Sequence, residues 1–316
     1  MKKEALKRIF DFLEKKGEHR GPLFWKHKNN IPLTDEELNI EGNLDLSDTN
    51  ITSLPKGFKV SGNLFLSNTK ITSLPEGLQI GGNLSLRDTK ITSLPEGLKV
   101  GGSLFLSNTE ITSLPEGLKV GGILSLEHSK ITSLPKGLKV VGDLRLSDTK
   151  ITSLPEGLKV GGGLDLYSCK KITSLPKGLE VGSYLWLSET NITSLPEGLK
   201  VGSDLYLDNS NITSLPESLK VNRDLMLFFS KITSLPEGLK VNGNLSLANT
   251  NLTSLPEGLK VGGNLNLMET NITSLPKGLE VERNLYIVDS PLTKYSDEEL
   301  RKMVKPGFIK EQIYRK

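Results

Sequence analysis

A phrase of twenty residues, seen at 81–100 as GGNLSLRDTKITSLPEGLKV, recurs along most of this 316-residue chain. A fixed period of that length predicts a solenoid whose repeats stack on one another, not a globular domain closed on itself. The core of the phrase, I/L-T-S-L-P, occurs twelve times, beginning at Ile51, Ile71, Ile91, Ile111, Ile131, Ile151, Ile172, Ile192, Ile212, Ile232, Leu252 and Ile272. The spacing slips once, where Lys170 and Lys171 stand in place of a single residue. Because solenoids grow by addition, one extended domain is expected even at this length.

Within a repeat the pair Leu84 and Leu86 has the period of a strand, which turns both leucines inward and Ser85 outward. Stacking such pairs, from Leu44/Leu46 to Leu285/Ile287, predicts one parallel sheet. Ile91, Leu94, Leu98 and Val100 close the other side of the core. Pro95 and Gly97 break a segment without helical periodicity, so the back should be irregular, extended or 3₁₀. Six buried aliphatic side chains cannot offset the ordering of twenty residues alone, so stability must come from neighbouring coils.

The column after the strand holds Thr69, Thr89, Thr109 and their equivalents. It calls for a small side chain whose hydroxyl turns inward and bonds backbone groups left unpaired where the chain leaves the strand, repeated coil after coil. Cys169 falls in this column and reads as a small buried filler; no His or Asp pattern accompanies it to suggest a nucleophile.

The string L-x-L-x-x-T-x-I-T-x-L-P resembles the L-x-L-x-x-N-x-L-x-x-L-P segment of leucine-rich repeats in their short bacterial form, over about 250 residues. The T-S-L-P-E-G-L-x-V-G-G phrasing is similar to repeats of bacterial and bacteriophage proteins. The resemblance implies a β-rich solenoid of leucine-rich-repeat type with one parallel sheet face, a mostly irregular or 3₁₀ back and helical caps. Thr replaces the family's Asn, and Gly81-Gly82 falls where the family places a leucine. A three-sided β-helix, with Leu98-Lys99-Val100 as a second strand, therefore stays open.

Three segments follow: an N-terminal helical cap over 1–40, the solenoid over 41–292 and a C-terminal cap over 293–316. Leu6, Ile9, Phe10 and Leu13 share one face of a helix over about 3–16. Thr34 with Glu37, and Ser296 with Glu299, have capping-box spacing. The second box predicts a helix over about 297–304, ended by Pro306-Gly307, after which Phe308, Ile309, Ile313 and Tyr314 fold back on the last coil. Phe24 and Trp25 read as cap packing, with a docking motif as the alternative.

A net charge of +3 gives no field that would demand a polyanion, and a single cysteine excludes an internal disulfide. The start MKKEALKRIFDFLEKK lacks a signal peptide's apolar stretch and no later segment reaches membrane-span length, so residence in the cytosol, of the producing cell or of a host, is expected. His19, His27 and His128 have no zinc-like spacing, the glycine runs lack a phosphate loop's sequel, and Asp165, Asp208 and Glu189 sit singly on a solvated face. No enzyme activity, metal or cofactor is expected.

Information enters where the repeat varies. The residue between the core leucines reads Asp45, Phe65, Ser85, Phe105, Ser125, Arg145, Asp165, Trp186, Tyr206, Met226, Ser246, Asn266 and Tyr286. Tyr167, Tyr184, Trp186, Tyr206, Met226, Phe228 and Phe229 come from four consecutive coils, and an exposed apolar patch of this kind marks a contact surface for a partner protein, with a host or defence factor as one class. Self-association is the bland alternative. Nucleic acid is the second functional class, on the broken stripe of Lys70, Lys90, Lys130, Lys150, Lys170, Lys171 and Lys231.

Overall fold

The structure, a computed structural model, describes residues 38–316. The expected N-terminal helix, the Thr34/Glu37 box, the Phe24-Trp25 segment, His19 and His27 lie outside the described residues. Two units divide the chain, the first ending at Thr149 and the second spanning Lys150–Lys316. Both are parallel-strand solenoids built from the same coil.

In the first unit the strands Leu44–Asp45, Leu64–Phe65, Leu84–Ser85, Leu104–Phe105, Leu124–Ser125 and Leu144–Arg145 pair in chain order. The register is that of the repeat, so Leu84 faces Leu104 and Ser85 faces Phe105. In the second unit the same sheet runs from Leu164–Asp165 through Leu185–Trp186, Leu205–Tyr206, Leu225–Met226, Leu245–Ser246, Leu265–Asn266 and Leu285–Tyr286 to Ile313–Tyr314. Leu84, Leu86 and Ile91 are wholly buried, and Leu94, Leu98 and Val100 nearly so, as are their equivalents in every coil.

The single sheet expected from the sequence is joined by a second. Lys99–Val100 and its equivalents form another parallel ladder, in register from Asn39–Ile40 to Lys139–Val140 in the first unit and from Lys159–Val160 to Phe308–Ile309 in the second. Glycine is common at the corner that follows, where coils approach closely: a Cβ on Gly101 would run into the carbonyl oxygen of Gly81, and Gly102 N–H donates to Gly82 O at 2.9 Å. It is not required in every coil, since Val141, Asn222 and Glu282 take the Gly101 position and the ladder continues through them. The irregular back is confined to the I-T-S-L-P stretch, closed by a turn in which Gly97 adopts φ +71°.

The hydroxyl column behaves as expected at its threonines, whereas the buried hydroxyls of Ser129, Ser210 and Ser230 have no hydrogen-bond partner among the described residues. Thr69 Oγ1 donates to Leu66 O at 2.7 Å, and Thr89, Thr109, Thr190, Thr250 and Thr270 do the same three residues back. Each bond closes its own coil and does not bridge to the next. Cys169 is fully buried and carries no disulfide.

A ladder between coils is found instead in the residue just before the first core leucine. Asn43 Oδ1 accepts from Asn63 N–H, Asn63 Oδ1 from Asn83 N–H, and Asn83 Oδ1 from Ser103 N–H, at 2.7–2.8 Å. In the second unit Asp204, Asp224, Asn244 and Asn264 accept from the following coil in the same way. The extra residue at 170–171 is absorbed in the turn after the strand: Leu164 still pairs with Leu185, and Lys159 with Glu180.

The C-terminal cap begins with a 3₁₀ turn, Pro291–Lys294, and continues as an α-helix, Asp297–Met303. Its capping box is complete, with Ser296 N–H donating to Glu299 Oε2 and Glu299 N–H to Ser296 Oγ. Phe308–Ile309 and Ile313–Tyr314 fold back as strands, one on each sheet, and Tyr314 stacks on Tyr286 with centroids 4.7 Å apart.

Candidate functional site

Every coil leaves its outer strand through one residue in the left-handed region. Thirteen residues occupy this position, from Asp48 to Asp289, with φ between 53° and 60°. Asn and Asp predominate because their short polar side chains tolerate this conformation. His128, Ser168, Glu189 and Glu269 also take this position, and Phe229 is its one large apolar side chain, a ring held at φ 56° and 57% exposed. Its two neighbours in the column, Asn209 and Asn249, are of the tolerated type.

Parallel register assembles the rest of the face. Trp186 lies opposite Tyr206, and Tyr206 opposite Met226. The rings of Tyr167 and Trp186, and of Trp186 and Tyr206, are each 5.5 Å apart and tilted. Phe228 and Phe229 meet edge to face at 5.9 Å. Six of the seven residues singled out in the sequence thus share the outer strand face of the second unit. Tyr184 lies in the ladder row before the strand, one coil before Asp204, and covers Gly163 so closely that a Cβ there would meet the ring.

Three residues missed in the sequence complete the face. Met226, Phe228 and Phe229 join Ala248, Met268 and Tyr286 in lining a groove of about 590 Å³. Their signal lay in the same outward columns, read one to three coils further on.

The carboxylates are not the isolated surface acids that the sequence suggested. Tyr167 hydroxyl donates to Glu189 Oε1 at 2.9 Å while Lys170 Nζ donates to Glu189 Oε2 at 3.1 Å, and the lysine, then the tyrosine, holds the Glu189 carboxyl below its ordinary range. Asp165 Oδ1 accepts from Tyr167 N–H at 2.9 Å. Asp208 is only 8% exposed, because its row places it between coils that carry Ser188 and Phe228. Ser188 Oγ donates to Asp208 Oδ2 at 3.2 Å, whereas the buried Oδ1 has no hydrogen-bond partner. Burial pushes the Asp208 carboxyl up to about 6, against the opposing pull of the Ser188 bond and of backbone amides. Burial, followed by the charges of Asp204 and Asp224, raises the Tyr206 hydroxyl.

The lysine stripe is partly neutralised. In the first unit Glu110 bridges Lys130 and, at 3.9 Å, Lys90. Another depression, of about 660 Å³, lies over the Lys-Val sheet of that unit, where side chains such as Lys99 and Lys119 repeat from coil to coil. Among the described residues no three His, Cys, Asp or Glu side chains are grouped to hold a metal ion.

No family model and no curated protein matches the chain. Among solved structures it is similar to YopM from Yersinia enterocolitica WA-314, with 18% identity over 86% of this chain and 65% of that one, at a TM-score of 0.49. The chain thus spans about two thirds of that protein's length. It is also similar to a leucine-rich-repeat protein of Leptospira interrogans (24% identity, 84% of this chain, 83% of that one, TM-score 0.46) and to YopM, described as a leucine-rich effector protein, from Yersinia pestis (20%, 79%, 73%, 0.40).

Proposed function

We propose that this chain is a docking scaffold, without chemistry of its own, that binds a partner protein through the outer strand face of its second unit. The observation that carries this reading is Phe229. A non-glycine residue in the left-handed region costs roughly 1–2 kcal/mol, least for Asn and Asp. A ring 57% exposed forgoes roughly half of the 1.5–3 kcal/mol that full burial gives. Folding gains nothing from either, and Asn serves the same backbone position one coil before and one coil after. A side chain doubly unfavourable to the free protein is accounted for by a contact made outside it. Trp186 and Tyr206, of the residue types that most often anchor interfaces, stand on the same face.

The test separates folding from binding by sign. Phe229→Asn should stabilise the chain by about 1 kcal/mol in chemical denaturation. The same variant, and Trp186→Ala/Tyr206→Ala, should lose the partner recovered with the intact protein in affinity purification. Destabilisation by Phe229→Asn together with undiminished recovery would overturn the reading.

A further inference from the structure

The ladder residues beside Tyr206 carry a charge that the ladder does not need. Asn43, Asn63, Asn244 and Asn264 each accept the next coil's amide through a neutral carboxamide oxygen. Asp204 and Asp224 make the identical bond at 3.0 and 2.7 Å, in two successive coils that flank the aromatic row. In the first unit the aspartate of this column, Asp143, has Arg145 of its own coil at 3.2 Å. The one cation paired with Asp204 among the described residues is the exposed Arg223 at 3.8 Å, and Asp224 has none; their further donors are neutral, Ser203 Oγ to Asp204 Oδ2 at 2.8 Å and Asn244 Nδ2 to both oxygens of Asp224 at 3.2 Å. Asp208, nine-tenths buried with Oδ1 unsatisfied, adds a third carboxylate two residues beyond Tyr206 on the same outward alternation.

Resting on the docking reading above, we infer that this face recognises a basic segment of a partner protein, seating a lysine or arginine against Trp186 and Tyr206 among Asp204, Asp208 and Asp224, with a neighbouring apolar side chain in the Phe228–Phe229 groove. An aromatic wall backed by carboxylates attracts a cation twice over, through the ring faces and through the anionic charges. Asp208 adds its charge from beneath the face, since its Oδ1 is buried and out of a ligand's direct reach. Arg223 is displaced or shared in such a complex, since its distance to Asp204 makes it a weak competitor. The apolar groove of about 590 Å³ beside the rings selects against a purely charged ligand.

The experiment uses the full chain and three synthetic peptides of leucine and serine that differ only in carrying several arginines, glutamines or glutamates. Calorimetric titration should show the arginine peptide binding about tenfold or more tightly than the glutamine peptide, with no binding of the glutamate peptide. The double variant Asp204→Asn/Asp224→Asn keeps the ladder, so its thermal unfolding should be unchanged. It should weaken the arginine peptide by about 3- to 30-fold and leave the glutamine peptide unaffected. Phe229→Asn should weaken both binding peptides alike. Equal affinity for arginine and glutamine peptides, with Phe229 still required, overturns the basic-segment inference and leaves the docking face standing. Indifference of every peptide to Phe229→Asn overturns both.

Discussion

The two units are made of one coil and carry opposite faces. In the first, Ser67 bonds Ser85 at 2.7 Å, Ser107 bonds Ser125 at 2.7 Å, and Ser125 donates to Glu127 at 2.7 Å, so hydroxyls and a carboxylate satisfy one another along the sheet. Of its two large outward rings, Phe105 is covered by Arg87 at 4.5 Å and Phe65 is half-buried. In the second, the same columns hold Trp186, Tyr206, Met226, Phe228 and Phe229, with Trp186, Phe228 and Phe229 open to water. The buried leucines and backbone pairing are indistinguishable between the two. The scaffold therefore constrains the outward columns little, and what they contain reflects use, not folding.

That claim breaks most readily at the core. Leu124→Ala and Leu205→Ala remove side chains that are both wholly buried, one in each unit, and each should cost about 2–5 kcal/mol in denaturant unfolding. A difference between them of more than about 1 kcal/mol would mean that the units are not equivalent scaffolds.

Glycine substitutions sharpen the comparison at the corner. Gly101→Ala drives a Cβ into the Gly81 carbonyl, a backbone group that cannot swing aside, and should cost about 1–3 kcal/mol. Gly163→Ala, one residue past the corner in the ladder row, meets the Tyr184 ring first, and since that ring can rotate its cost should stay under about 1 kcal/mol. Tyr184 should move all the same, visible as a change in near-ultraviolet circular dichroism. Equal costs at the two sites would remove the distinction.

The smallest effect belongs to Asp208. Its folded carboxyl titrates near 6, above the 3.8 expected of an unfolded aspartate, so the folded chain holds the proton more tightly. Below about pH 4 both states are protonated and the group is neutral in the balance. Between about pH 4 and 6 the unfolded state has lost the proton while the folded state still holds it, so stability falls across that window, and above about 6 both states are ionised and the loss is complete. Asp208→Asn should therefore stabilise the chain by on the order of 1 kcal/mol at about pH 8, after discounting for water at the edge of the site, and by nothing at about pH 4. A stabilisation independent of pH would assign the effect to something other than the charge.

The solenoid and its inward residues were legible because the L-x-L alternation and the twenty-residue period are long, redundant signals. The second sheet was open only as an alternative, with Leu98-Lys99-Val100 as its strand, because a strand of two residues gives no alternation long enough to decide it. The asparagine ladder escaped notice because Asn43 or Asn63, taken alone, looks like any surface polar residue. The row of Tyr167, Trp186 and Tyr206 followed from the repeat register, but the conformation of Phe229 did not: Asp and Asn in that column read equally well as an ordinary solvated turn. Asp208 was misread for a related reason, since its burial is supplied by residues twenty positions away in either direction.

The additional residue at Lys170-Lys171 leaves both ladders in step on either side of it. Its position, outside both strands and beyond the left-handed residue, is one where added chain costs only the slow, logarithmic entropy of a longer loop. Longer insertions could be spliced there without shifting a single core leucine, giving evolution or an engineer a graft point beside the aromatic face.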